Sequence, residues 1–382
     1  MQRFYFDHNA TTPVKAGVLE AMLPCFQEVF GNASSIHHFG QTARQRVEHA
    51  RRQVARFLNA RPEEIVFTAG GTESNNHAIF GAAPDPAAAH IVTTAIEHPA
   101  VLSPCAELER RGACVHRVAP TPHGAVPASA LVAALRHDTR LVSMMLVNNE
   151  LGTIQPVAEC ARAARAAGAL VHCDAVQAAG RIPLDVDALE VNLLTISGHK
   201  LGAPKGIGAL YIRKGTPIAP LLHGGHHERD RRAGTENVPG AVALGAACEL
   251  AMREPSLAPL RDRLEAGILQ SVPDAALNGA APRVGNTTNI RIPGVEGEAM
   301  VIALDLAGFA ISSGAACSSG AIEPSHVLTA IGLTREDARS SLRFSLGPEN
   351  TEAQVDSLIA AVARCAARLR ALSPTYHEHV TR

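Results

Sequence analysis

The sequence predicts an α/β fold in which a mostly parallel sheet is covered by helices and joined to a smaller α+β unit. Three observations carry that expectation. Between residues 64 and 212, short apolar runs rich in β-branched residues alternate with stretches of helical spacing; parallel strands need crossover helices and read as continuous apolar runs. Several of those runs end in a side chain that is costly in a core without a partner: His98, Asp174 and Lys200. Beyond the break Arg253-Glu254-Pro255-Ser256 the pattern changes to a mixture of helix and strand. The expected division is a large domain at 14–255 and a small one formed by 1–13 and 256–382.

Composition narrows the function. The chain has 382 residues, of which 46% are apolar, enough for a sizeable core. A net charge of −1 without a basic run speaks against nucleic acid or an anionic membrane as partner. The start of the chain lacks a basic segment followed by an apolar one, and no apolar run reaches about 18 residues, so a cytoplasmic location is expected. The eight cysteines are spread singly with no C-x-x-C pair, which suits neither a zinc ribbon nor a disulfide scaffold.

In chain order, Phe4-Tyr5-Phe6 is extended and runs into the polar turn Asp7-His8-Asn9-Ala10-Thr11-Thr12. Helical spacing covers 14–30, and a basic amphipathic helix covers 40–58. A strand at 64–68 enters Ala69-Gly70-Gly71-Thr72 and a helix through Ile79; this is either an ordinary turn or a cup for a phosphate on a helix N-terminus. The strand at 90–95 leads to Glu97-His98-Pro99, where the imidazole is either structural or catalytic. Strands at 140–147 and 169–173 end in Asn148-Asn149-Glu150 and Asp174-Ala175-Val176-Gln177. Asp174 closes a buried run and calls for a cationic partner. The run 191–196 ends in Ser197-Gly198-His199-Lys200, and a lysine between an apolar strand and a Gly-rich loop loses basicity and can form a Schiff base. Thr72, His98, Asn149, Asp174 and Lys200 then share one edge of the sheet, where open α/β sheets bind ligands.

His223, His226, His227 and Glu228 lack the spacing of a metal-binding helix and read as a solvated or interface loop, so no metal is expected. Further on, helices are expected at 239–252, 257–270, 297–306 and 351–372, with strands at 286–292, 309–312 and 342–345. Arg343 sits at an otherwise apolar strand position and wants a carboxylate. Ser313-Gly314-Ala315-Ala316-Cys317-Ser318 surrounds a thiol with small residues, which fits an idle cysteine or one that travels between an internal site and a partner.

Taken together, these motifs, with Arg232-Ala233-Gly234-Thr235-Glu236-Asn237 and Ser341-Leu342-Arg343-Phe344-Ser345, resemble the pyridoxal-phosphate (PLP)-dependent cysteine desulfurases of the NifS/IscS type over essentially the whole chain. Arg231-Arg232 and the ending near Ser373-Pro374 are closer to the nitrogen-fixation branch. The resemblance implies the type I, aspartate-aminotransferase-like PLP fold and a homodimer. It implies that Lys200 carries the cofactor, Asp174 faces its pyridinium nitrogen, His98 stacks on its ring, and Gln177 and Asn149 bond its phenolic side. Gly71, Thr72, Ser197 and His199 would hold the phosphate, with Thr235 reaching over from the second subunit. Arg343 would take the carboxylate of L-cysteine, and Cys317, on a long mobile loop at about 312–324, would take the sulfur as a persulfide and pass it to an iron–sulfur scaffold or other acceptor, with nitrogenase clusters as one destination. His8 and Ala315-Ala316-Cys317-Ser318 depart slightly from the common pattern. Selenocysteine lyase or aminotransferase activity on the same fold is the alternative; a non-enzymatic assembly scaffold has no need of Lys200, Asp174, His98, Arg343 and Cys317 together.

Overall fold

Apolar runs become strands wherever a flanking Gly, Pro or polar cluster cuts them short, and the computed structural model describes this for residues 2–313 and 324–372. In chain order the strands are β1 (Phe4–Tyr5), β2 (Ile65–Thr68), β3 (His90–Thr94), β4 (Cys114–Val118), β5 (Thr139–Met145) and β6 (Leu170–Asp174). They continue as β7 (Leu193–Ser197), β8 (Gly208–Ile212), β9 (Ala276–Leu277), β10 (Thr287–Arg291), β11 (Phe309–Ala310) and β12 (Ser341–Ser345). The Cys317 loop and the tail after Leu372 lie outside the described residues.

Strands β2 to β8 form a seven-stranded sheet in the order β2-β8-β7-β6-β5-β3-β4. Pairs from β7 through β4 are parallel, and crossover helices such as Pro99–Arg110 and Val157–Ala166 connect them. β8 runs antiparallel to both neighbours, β7 and β2. The connection from β7 to β8 contains the short 3-10 turn Gly198–Lys200 and no crossover helix, so the chain returns antiparallel.

The expected helix over 14–30 divides into Ala16–Met22 and Pro24–Gln27. Pro24 has no N–H to continue the ladder and restricts the residue before it, so it starts a helix rather than extends one. The basic helix runs His38–Phe57 and turns Ala43, Val47, Ala50 and Val54 inward against the helix Val238–Ala251.

Four apolar clusters result among the described residues, two of them large. The larger joins Val92, Val142, Val171, Leu194 and Ile196 of the sheet to Val47, Val54 and Leu244 of the covering helices. The smaller gathers Phe6, Leu264, Ile290, Leu342, Phe344 and Leu358. Each such fully buried side chain stabilises by about 1.5–3 kcal/mol. The short helices His326–Ala330 and Arg335–Arg339 pack Val327, Leu328 and Ala338 into the larger cluster, so the segment after the Cys317 loop is anchored beside the big sheet. Near the smaller cluster, β12, β10 and β9 pair antiparallel, and β1 pairs with β11.

Candidate active site

The C-terminal ends of β5, β6 and β7, the start of the helix Gly71–Ala82, and the segment Asn9-Ala10 enclose a cavity of about 750 Å³. Gly71, Thr72, His98, Asn149, Asp174, Gln177, Ser197, His199, Lys200 and Arg343 all line it. Thr235 does not; it is exposed on another loop, although Arg232 in that loop pairs with Glu73 at 2.9 Å and ties it to the helix start. Cys317 lies outside the described residues.

Lys200 follows β7 by one tight turn, and its Nζ donates to the carbonyls of Asn9 and Ala10, the latter at 2.7 Å. Burial, helped by the nearby Arg181 and Arg343, lowers its pKa to about 7. About half of the amine is therefore neutral at pH 7, whereas an ordinary lysine is almost wholly protonated. His199 bonds Thr11 Oγ1 through Nδ1 at 3.1 Å, and burial brings its pKa down to about 4, so it is neutral.

Within its own chain Asp174 meets amide donors. Asp174 Oδ2 accepts from Asn75 Nδ2 at 2.7 Å, and Oδ1 accepts from the Val176 backbone N–H at 2.9 Å. These bonds satisfy part of the charge and leave the carboxylate on the cavity wall. Gln177 donates from Nε2 to the Asn9 carbonyl at 3.0 Å, while its buried Oε1 has no partner among the described residues. His98 caps the helix Pro99–Arg110, with Nδ1 accepting from the Ala100 N–H at 3.0 Å. That bond assigns the proton of the neutral ring to Nε2, and partial desolvation lowers the pKa of the ring.

Arg343 meets its expected carboxylate inside the chain. Nη2 donates to Asp7 Oδ1 at 2.8 Å, and Nη1 donates to the Asn149 carbonyl at 3.1 Å. Next to His98, the buried Glu97 accepts from Thr94 Oγ1 at 2.6 Å and from the Met145 N–H at 2.9 Å; burial pushes its pKa up to about 8, so it is neutral at pH 7. The segment after the Cys317 loop is moored to this wall: Ser325 Oγ donates to Glu150 Oε2 at 2.5 Å, and His326 Nε2 bonds the Glu97 carbonyl at 2.9 Å.

Sequence reasoning missed Asn75, Asp7, Ser325 and His326 as cavity or cavity-supporting residues. Asn75 carried a usable signal, since it follows Gly71 by one helical turn and so shares its face.

The cavity fits PLP. Gly70 has φ 152° and ψ −174°, a conformation essentially restricted to glycine. A β carbon on Gly71 would sit 3.0 Å from Val176 Cγ2 and 3.4 Å from Ser197 Cβ, so any larger residue would crowd the cradle at the helix start. The dipole and first N–H groups of a helix favour a phosphate there. The unpartnered Gln177 Oε1 and the Asp174 carboxylate would suit the polar groups of a pyridine ring, and the half-neutral Lys200 amine would suit its aldehyde. Lysine, acid and phosphate cradle on this sheet define a PLP enzyme of the aspartate-aminotransferase-like fold.

Comparison with known proteins agrees. The Aminotransferase class-V family matches residues 4–358. Cysteine desulfurase 2 of Trichormus variabilis is 48% identical over 98% of this chain and 96% of its own length. A solved NifS-like protein superposes with a TM-score of 0.90 at 37% identity, covering 96% of this chain and all (100%) of that one. A structure described as SspA in complex with cysteine gives a TM-score of 0.82 at 37% identity over 91% of this chain and 99% of its own. The chain belongs to the class-V aminotransferases and, within them, to the cysteine desulfurases.

Proposed function

We propose that this PLP-dependent cysteine desulfurase converts L-cysteine to L-alanine, takes the sulfur on Cys317 as a persulfide, and hands it to an acceptor in iron–sulfur cluster assembly. The observation that carries the reading is the convergence of a half-neutral Lys200, Asp174, His98 and Arg343 on one cavity. A relative solved with cysteine supports the substrate.

In this reading Gly71, Thr72, Ser197 and His199 hold the phosphate, and Asp174, oriented by Asn75, faces the ring nitrogen. When bound, the cofactor supplies an electron sink for charge developing at the substrate Cα. Arg343 takes the substrate carboxylate, with Asn149 beside it. Lys200 Nζ, neutral without a large free-energy penalty, accepts the Cα proton. His98 Nε2 holds a proton over the reacting atoms. The Cys317 thiolate attacks the substrate sulfur; the bond from sulfur to Cβ breaks with its electrons going to carbon, and protons complete the methyl group of alanine.

A homodimer is part of the reading. Leu23, Phe26, Phe30 and Ile36 are exposed near the N-terminus, with Ile36 92% accessible, and such a patch suits a subunit interface. Thr235, outside the cavity of its own chain, is then free to serve the site of a second subunit. The proposed domain division is 14–255 against 1–13 with 256–382. A cytoplasmic location is also proposed; among the described residues, no helix is long and apolar enough to cross a membrane.

The test compares alanine and sulfide release from L-cysteine under reducing conditions for the wild type and Cys317→Ala, with the cofactor absorbance followed in both. The variant should keep its cofactor and lose sulfide release. Unchanged release would turn the assignment toward a lyase mechanism in which the thiol is idle.

A further inference from the structure

Arg343 is unusual among the cavity residues because its charge is already answered. Its side chain is 7% exposed and that of Asp7 is 19%, so the 2.8 Å contact between Nη2 and Oδ1 is largely shielded from water. Asp7 cannot easily swing away: its backbone forms a parallel bridge with Ser345, and its carbonyl accepts from the Ala10 N–H at 3.0 Å. Nη1 is held by the Asn149 carbonyl, while the buried Nε has no partner among the described residues. The guanidinium is thus fixed in orientation, with donors to spare but with its charge already facing a carboxylate of its own chain.

We propose that Asp7 is a positioning residue that weakens the hold of Arg343 on α-carboxylates and so sets how long amino-acid ligands stay in the cavity. The inference rests on the reading of Arg343 as the carboxylate holder. Substrate and product carry the same α-carboxylate, so attraction to it is uniform binding: it lowers KM without speeding chemistry and delays departure of alanine. A carboxylate shared between Asp7 and the ligand on one guanidinium places two like charges together, which the low-dielectric wall makes unfavourable. Asp7 also acts electrostatically on Lys200, raising its pKa against the lowering by Arg343, so the pair presents less net positive charge to the amine than Arg343 alone.

The test uses holoenzyme of Asp7→Asn, which keeps a hydrogen-bond acceptor for Arg343 and removes the charge, with Asp7→Ser as a second variant should the first fold poorly by thermal melt. L-Alanine affinity is measured by titration calorimetry, and steady-state kinetics with L-cysteine give KM and kcat separately. Both variants should bind alanine about threefold to tenfold more tightly, with KM for cysteine falling in parallel and kcat falling as release slows. Ethylamine, which lacks a carboxylate and reports only the effect of Asp7 on Lys200, should change by less than alanine does. Unchanged or weaker alanine binding in folded variants overturns the proposal, since a merely structural clamp would loosen Arg343 when broken. Arg343→Lys, measured alongside, separates the layers. If it leaves alanine binding unchanged, the carboxylate reading of Arg343 fails; if it weakens binding while the Asp7 variants do not strengthen it, only the role of Asp7 falls.

Discussion

The Asn75 side-chain amide donates to Asp174 Oδ2 at 2.7 Å, joining the second turn of the helix Gly71–Ala82 to the end of β6. One helix therefore serves two ends of the cofactor cavity, its start facing the phosphate cradle and its next turn orienting the acid.

Replacing Asn75 with Ala should accordingly weaken the acid without removing it. A hydrogen bond to a charged group contributes about 1.5–3 kcal/mol, so kcat should fall at least about tenfold. Absorbance titration with PLP should show weaker retention. Normal turnover and affinity would mean that the Val176 N–H alone orients Asp174.

Lys200 should be the most reactive amine of the cofactor-free protein near neutral pH. With a pKa of about 7 in place of 10.5, its neutral fraction at pH 7 exceeds that of an ordinary lysine by about a thousandfold. Limited labelling with trinitrobenzenesulfonate followed by peptide mass mapping should find Lys200 first, and added PLP should protect it. Uniform labelling over all lysines would contradict the desolvated amine.

Glu97 should make the protein less stable in alkali. Its folded-state pKa is raised by burial to about 8, against 4.5 when free. A raised pKa means that the contribution is fully present below about pH 4.5 and is lost as pH rises through 8. Glu97→Gln should therefore be more stable relative to wild type at pH 9 than at pH 6, read as a difference in Tm. An equal difference at the two pH values would show that Glu97 does not titrate in that window.

Much of this arrangement was legible in the linear chain because strand ends and helix starts are local features. An apolar run that stops at Asp174 or Lys200 announces a polar group at a sheet edge, and Gly70-Gly71-Thr72 announces a helix start with room beside it. Helix bounds were read to within a residue or two where capping and periodicity agreed, as in Gly297–Leu306, and less well at 14–30, where Pro24 divides the run. The direction of β8 escaped local pattern, because a buried strand has the same apolar sequence whichever way it runs.

What the sequence by itself determined was the α/β class and the shared edge of the strand ends at which Asp174 and Lys200 stand, since each depends on residues close together in the chain. Tertiary structure alone decided the partners. Arg51 and Glu228 form a buried bidentate pair, at 2.7 and 2.9 Å, between residues 177 positions apart. Asp7 meets Arg343 across 336 positions, and Asn75 meets Asp174 across 99. No periodicity links such positions. A charge or amide in a run shows only that a partner is needed, and the packing of distant elements decides which side chain arrives to meet it.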